Sequence, residues 1–303
     1  MGRIRKGLAG LVAVGVLGAG AAWWITAPGP LPEEVWAGLG QPDIANGERI
    51  FHAGGCTSCH AAPGAPDDRK QVLAGGLALK SAFGTFNVPN ISPDETAGIG
   101  AWTLAEFGNA MKRGVGRDGE HLYPSFPYGS YARMTPKDVN DLYGYLKTLP
   151  ESPNVARPHE LAFPYSIRRA VGVWNFLYLN EAPRVALAGA DEKVRRGQYL
   201  VEGPGHCGEC HTPRDALGGL ETERWLAGAP NPEGGEGRVP DITPGGDLES
   251  WSESDIASYF ESGFTPDFDS VGGSMVEVQK NLARLPPEDR EAIAAYLKAI
   301  PAR

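Results

Sequence analysis

All four cysteines of the chain lie in one five-residue pattern that occurs twice, CTSCH at residues 56–60 and CGECH at residues 207–211. Two thiols one helical turn apart can form thioether bonds to the two vinyl groups of one porphyrin, and the histidine that follows then faces the iron. The sequence therefore predicts two covalently attached c-type haems. The predicted thioether residues are Cys56, Cys59, Cys207 and Cys210, and the predicted proximal iron ligands are His60 and His211.

Other uses of paired cysteines explain this pattern less well. A structural zinc site can use two Cys-x-x-Cys knuckles, but these two lie 151 residues apart and each is followed by histidine. A disulfide or a thioredoxin-type redox pair needs no such histidine. Two complete copies with no cysteine left over favour haem attachment in both halves of the chain.

The two halves of the chain share more than the attachment pattern. The distance from the histidine to a Val-Pro dipeptide is 28 residues in each half, ending at Val88 or Val239. A tryptophan then precedes a predicted helix with a capping box at its start and a glycine at its end. These residues are Trp102, Thr103, Glu106 and Gly114 in the first half, and Trp251, Ser252, Asp255 and Gly263 in the second. Shared spacing over about a hundred residues indicates one structural plan used twice.

The order of the predicted elements, from a short helix through the Cys-x-x-Cys-His turn to a closing helix, resembles class I cytochrome c. The resemblance implies an all-α fold of two tandem class I cytochrome c domains, residues 41–150 and 191–303. It also implies a glycine where the first and last helices of each domain cross; the matching pairs are Gly47 with Tyr145 and Gly197 with Tyr296. Residues 151–190 form the linker, where apolar spacing predicts an amphipathic helix from about Ser166.

Residues 1–26 have the composition of a membrane anchor or a signal segment. Nineteen uncharged residues, 7–25, follow a basic start, and this length just suffices for a membrane-spanning helix. Trp23 and Trp24 suit the far interface and favour an uncleaved anchor, whereas the small residues 19–21 allow a cleaved signal peptide. Either interpretation exports the remaining chain, so we expect both haem domains on the periplasmic side of the inner membrane.

The sixth iron ligands are less evident than the proximal ones. Met275 lies before the predicted closing helix, a placement that resembles the methionine loop of class I cytochromes, so it is the expected ligand of the second haem. In the first half, the stretch LYPSFPYGSY resembles the cytochrome subunits of periplasmic alcohol and sugar dehydrogenases, but Phe126 stands where those proteins usually have methionine. The preferred ligand there is Met134, and the alternatives are His121 and an open or water-bound iron.

Composition and charge set limits on the partners. The net charge is −9 and 42% of the residues are hydrophobic, which suits packed domains and disfavours nucleic acid, whose phosphates attract positive surfaces. With two haems and no evident catalytic constellation, the sequence predicts an electron carrier rather than an enzyme. The resemblance implies that it passes electrons from a partner dehydrogenase to an oxidase, a soluble cytochrome or another respiratory acceptor. The alternative is a diheme redox enzyme, similar to thiosulfate dehydrogenase or a peroxidase, with an unusual first haem.

Overall fold

The computed structural model describes residues 2–231 and 237–303, with side chains from residue 14 onward. Within these residues the chain is mostly helical and contains short antiparallel strands. The first domain is built from five helices: α2 (Ile44–Ala53), α3 (Cys56–His60), α4 (Leu104–Arg113), α5 (Tyr128–Tyr131) and α6 (Pro136–Leu146).

Helices α2 and α6 cross at Gly47. A methyl group added there would lie 2.1 Å from the carbonyl oxygen of Asp141 and 2.8 Å from Cβ of Tyr145. Because no other residue lacks a side-chain carbon, only glycine permits this approach. The crossing that the resemblance implied is therefore confirmed in the first domain.

The second domain repeats this arrangement. Its helices are α8 (Glu192–Glu202), α9 (Gly208–His211), α10 (Glu253–Ser262), α11 (Met275–Leu282) and α12 (Pro287–Ala299). Helices α8 and α12 cross at Gly197, where an added methyl group would lie 1.8 Å from the carbonyl oxygen of Ala292. The second predicted crossing is likewise confirmed.

The middle helix of each domain begins and ends where the sequence predicts. At the start of α4, the Thr103 hydroxyl accepts a hydrogen bond from the backbone of Glu106 at 3.2 Å, and the Glu106 carboxylate accepts one from the backbone of Thr103 at 2.7 Å. Ser252 and Asp255 form the same reciprocal pair in α10. The left-handed glycines that end α4 and α10, at φ +59° and +77°, are Gly114 and Gly263. The two capping boxes and the two glycines fix the ends of the helices locally.

Short strands follow each attachment segment. The first domain has β1 (Ala78–Ser81) and β2 (Gly84–Asn87), which pair with β3 (Glu160–Leu161) from the linker, and the second domain has β4 (Ala227–Pro230) and β5 (Arg238–Asp241). The all-α prediction is wrong for these segments. Strands of two to four residues are too short for an alternating pattern to be visible in the sequence.

The linker carries helix α7 (Val171–Tyr178), which follows a 3-10 turn at Arg168–Ala170. Helical structure thus begins slightly later than the predicted start near Ser166. The helix contains no charged residue, and it has apolar side chains on both faces: Trp174 packs inward, whereas Phe176 is 70% exposed. The prediction of an amphipathic helix is therefore wrong, because α7 has no polar face.

Helix α1 (Gly2–Ile25) contacts α7 at its C-terminal end. The guanidinium of Arg169 lies 4.1 Å from the centroid of the Trp23 ring, and a methyl group added at Gly172 would lie 2.4 Å from the carbonyl oxygen of Thr26. Among the described residues, no helix has the length and hydropathy of a membrane span. The predicted span, residues 7–25, lies partly outside the residues whose side chains the structure describes.

The two domains also share a buried interface. Ala53, at the end of α2, packs in the apolar core of the second domain together with Leu200. Asp289 of α12 has no exposed surface and accepts hydrogen bonds from Arg49 of the first domain and, at 2.8 Å, from Arg196 of the second. These contacts hold the domains in one arrangement independently of the linker.

Candidate haem-binding sites

The first attachment segment folds as the single-turn helix α3, so its two thiols stand one turn apart, as attachment to one porphyrin requires. The Nδ1 atom of His60 lies 2.9 Å from the carbonyl oxygen of Pro89. Because the carbonyl can only accept, Nδ1 carries the proton and Nε2 keeps its lone pair for a metal. Burial lowers the pKa of His60 to about 4, which keeps the ring neutral at physiological pH.

The second segment repeats this geometry. Helix α9 follows directly on Cys207, and Nδ1 of His211 lies 2.9 Å from the carbonyl oxygen of Pro240. Burial also lowers the pKa of His211. The histidine and the proline that it contacts are 29 residues apart in both domains. They meet because the hairpin after each attachment segment brings the Val-Pro dipeptide back to the histidine. The strands that the sequence did not predict therefore orient the two predicted proximal ligands.

The cysteines are placed for thioether attachment rather than for a metal–thiolate site. Burial raises the pKa of both Cys56 and Cys207 to about 12, so these thiols are protonated at neutral pH. In the described part of the chain, no group of three His, Cys, Asp or Glu side chains is arranged to hold a metal ion. Two thiols and one neutral imidazole per segment fit a covalently attached haem c, whose iron accepts and releases one electron when bound.

Met134 lies between α5 and α6 in the apolar core of the first domain. It is 1% exposed and belongs to the same cluster as Phe51 and Tyr131, against which Cys56 also packs. The ammonium of Lys112 donates hydrogen bonds to the carbonyl oxygen of Met134, at 2.6 Å, and to that of the neighbouring residue 132. A buried cation thus fixes the backbone that carries this methionine.

His121 is held away from the attachment segment by other contacts. Its Nε2 atom lies 2.8 Å from the carbonyl oxygen of Thr26, and its Nδ1 atom lies 3.4 Å from the side-chain nitrogen of Asn175. Both ring nitrogens therefore have partners from the end of α1 and from α7. The ring is buried, and no lone pair is left over for a metal in this arrangement.

The remaining ligand candidates occupy different positions in the two domains. Met275 is the first residue of α11, where the sequence suggested an irregular loop, and it packs half-buried against the core of the second domain. Phe126 is half-buried, with its ring centroid 5.5 Å from that of Tyr131. It thus fills the space beside the cluster that contains Met134. Met111, the other methionine of this domain, is buried in that same cluster on α4.

The residues that precede the two attachment segments contact each other across the domain interface. The Nε2 atom of His206 lies 3.2 Å from the carbonyl oxygen of Gly54, and the rings of Tyr131 and His206 pack edge to face with their centroids 5.6 Å apart. Ser130 donates a hydrogen bond of 2.7 Å to Glu209. Ser130 and Glu209 are 79 residues apart in the chain, and Gly54 and His206 are 152 residues apart. No local signal in the sequence therefore marks these contacts.

Comparison with known proteins agrees with the geometry of both segments. The family model for cytochrome c matches residues 44–150. Over 300 residues, the chain is 52% identical to a diheme cytochrome c-type protein of Cereibacter sphaeroides, and the alignment covers 99% of both chains.

Two further relatives are named as subunits of dehydrogenases. The chain is 37% identical to the fructose dehydrogenase cytochrome subunit of Gluconobacter japonicus and 37% identical to the cytochrome c subunit of alcohol dehydrogenase (quinone) of Gluconacetobacter polyoxogenes. These alignments cover 87% and 85% of this chain but only 54% and 56% of the relatives. The chain therefore spans about half the length of these two proteins.

Proposed function

Because this chain belongs to the cytochrome c family, we propose that it is a membrane-tethered diheme cytochrome c that carries electrons on the periplasmic side of the inner membrane. It receives them from a partner dehydrogenase and passes them to a downstream respiratory acceptor. The two covalently bound haems are its redox groups. The relatives named as fructose and alcohol dehydrogenase subunits support this class of donor.

The observation that carries the proposal is the contact between the residues that precede the two attachment segments. His206 precedes the second Cys-x-x-Cys-His turn directly and reaches the carbonyl oxygen of Gly54, two residues before the first turn. Electron transfer between two redox groups needs them held close together and in fixed positions. The buried pairs at the interface, including Asp289 with Arg49, supply that rigidity.

We assign His60 and Met134 as the axial ligands of the first haem, and His211 and Met275 as those of the second. Met134 is buried beside the cluster that contacts Cys56, while both nitrogens of His121 have other partners, which favours methionine over histidine. Methionine raises the reduction potential of a haem relative to a second histidine. Both haems then suit an electron carrier in a respiratory chain.

The tether in this proposal is the uncharged run at residues 7–25, which follows the basic start of the chain. Its tryptophan pair, Trp23 and Trp24, is 69% and 80% exposed at the end of α1. Exposed tryptophans at the end of an uncharged helix are typical of the membrane interface. The haem domains that follow would then lie close to the bilayer surface.

The ligands are tested on the oxidised full-length protein by low-temperature EPR and near-infrared magnetic circular dichroism. Two His/Met haems are expected, and Met134→Ala should alter the spectrum of one of them. Met111→Ala is the matched control, because Met111 is a buried methionine of the same apolar cluster. If Met134→Ala leaves both haem spectra unchanged, or if His121→Ala alters the first haem instead, the assignment is wrong.

The carrier function is tested separately by redox titration and turnover. The protein should take up one electron per haem and should not turn over thiosulfate or peroxide. A high-spin first haem that binds peroxide rapidly and turns it over would contradict an electron carrier. It would support the diheme enzyme instead.

A further inference from the structure

The exposed large apolar side chains of this protein are concentrated in two segments. One is the end of α1, and the other runs from residue 163 to residue 177 in the linker. The exposed members are Trp23, Trp24, Ile25, Phe163, Tyr165, Ile167, Val173, Phe176 and Leu177. Most other large apolar side chains of the haem domains are buried or half-buried, so this concentration marks a particular surface.

Helix α7 explains why the linker contributes so much of this surface. Its inner face packs on the first domain through Trp174, whose ring centroid lies 6.0 Å from that of Tyr128. Its outer face carries Val173, Phe176 and Leu177, which are 48%, 70% and 53% exposed. A helix that is apolar all round is normally covered on every side, by protein or by lipid. Here only one side is covered.

The start of α7 lies against the end of α1. Arg169, in the 3-10 turn before α7, stacks on the Trp23 ring and donates a hydrogen bond of 3.1 Å to the Thr26 hydroxyl. The close contact between Gly172 and Thr26 brings the first turn of α7 against the same point. We call Trp23, Trp24 and the outer residues of α7 the α1–α7 surface.

The charges near this surface are positive, although the whole chain is acidic. Residues 161–180 include Arg168 and Arg169 and no aspartate or glutamate, whereas the net charge of the chain is −9. Within the described residues, neither arginine forms a salt bridge; they bond to carbonyl and hydroxyl groups. The guanidinium of Arg169, which stacks on the exposed Trp23 ring beside aliphatic side chains, complements the anionic phosphates and acyl chains of a bilayer interface.

We propose that the α1–α7 surface lies in the interface of an anionic lipid bilayer, with the outer face of α7 below the headgroups. The proposal rests on the tether proposed above and adds α7 as a second contact with the membrane. Two contacts prevent the haem domains from turning freely about the tether. The face of the protein that meets soluble redox partners is then fixed relative to the membrane.

Phe176→Cys provides a direct test, since all four native cysteines are bound to haem and the new thiol is the single site for a spin label. Phe268→Cys is the matched control, because Phe268 is 85% exposed and belongs to the second domain rather than to α1 or α7. Both full-length variants are placed in nanodiscs of phosphatidylcholine and phosphatidylglycerol, with the haems reduced. EPR power saturation then compares access of oxygen, which enters lipid, with access of a polar nickel complex.

We expect the label at 176 to be several-fold more accessible to oxygen than to nickel, and the label at 268 to show the reverse preference. Equal nickel access at both sites would show that α7 faces water and would overturn the proposal. Low access of both reagents at 176 would mean that protein covers it, which also overturns the lipid contact. Haem absorbance that fails to co-elute with nanodiscs would overturn the tether itself, so the two proposals fail differently.

Discussion

Replacement of Lys112 by methionine is predicted to loosen the segment that carries Met134. Lys112 is 5% exposed, and its ammonium donates to two carbonyl oxygens, that of Met134 at 2.6 Å and that of Ala132. Burial lowers the pKa of Lys112, which shows that desolvation opposes the charge there. Methionine fills a similar volume without a donor, so the substitution leaves both buried carbonyls unpaired.

The expected loss of stability follows from these contacts. A hydrogen bond to a charged group contributes about 1.5–3 kcal/mol, and a buried carbonyl left unpaired costs about 1–3 kcal/mol. Removing the buried ammonium also removes its desolvation penalty, which offsets part of the loss. We therefore expect Lys112→Met to lower the free energy of unfolding by about 3 kcal/mol. We also expect weaker binding of Met134 to the first haem.

Guanidinium unfolding followed by circular dichroism measures the stability, and the methionine-to-iron charge-transfer band measures the ligand. Lys147→Met is the matched control, because Lys147 also donates to two carbonyl oxygens of the first domain, those of Ile99 and Gly100, but not to the Met134 segment. It should leave the charge-transfer band unchanged. If both variants alter the band equally, or if Lys112→Met loses less than about 1 kcal/mol, the anchoring role of Lys112 is refuted.

Three further predictions concern the frame around the haems. Gly47→Ala places a methyl group 2.1 Å from the carbonyl oxygen of Asp141 and should lower the free energy of unfolding, measured with denaturant, by about 3 kcal/mol. The control Gly272→Ala, where the space is open, should show almost no change in the same assay. Burial raises the pKa of Asp289, but hydrogen bonds from Arg49 and Arg196 outweigh this effect and hold the pKa below its usual value. The ionised carboxylate therefore stabilises the folded protein at neutral pH, and this stabilisation is lost as pH falls through the lowered pKa. Asp289→Asn should therefore be less stable than the native protein by about 3 kcal/mol near neutral pH, and the difference in Tm should shrink below about pH 4. A difference in Tm that does not change with pH would count against a stabilising role of the ionised carboxylate. Thr103→Ala should lose about 1 kcal/mol in the same unfolding assay while Thr103→Ser loses little, and equal losses would argue against the capping box.

The features that the sequence predicted well are those set by residues close together in the chain. The Cys-x-x-Cys-His turns, the capping boxes and the glycines that end α4 and α10 each depend on a few neighbouring residues. The glycine crossings were also predictable, because they recur at the same place in both halves. Even so, the expectation came from resemblance, whereas the 2.1 Å approach at Gly47 gives its physical cause.

The features that the sequence did not reveal depend on distant contacts or on very short elements. The hairpins that orient His60 and His211 have strands of four residues, too short for a visible period. The lack of a polar face on α7 was hidden because a stripe of apolar residues recurs there at helical spacing, namely Ile167, Val171, Trp174 and Leu177 or Tyr178. Spacing placed both Met134 and His121 within reach of the first haem, and only the partners of the His121 nitrogens separate them.

Ala53 belongs to the helix of one domain and to the apolar core of the other. Its position has a consequence for how such a protein can change over generations. A gene that lost the second domain would expose Ala53 and leave Arg49 without the carboxylate of Asp289. Loss of the second domain is therefore expected to destabilise the first, which ties the inheritance of the two haem domains together.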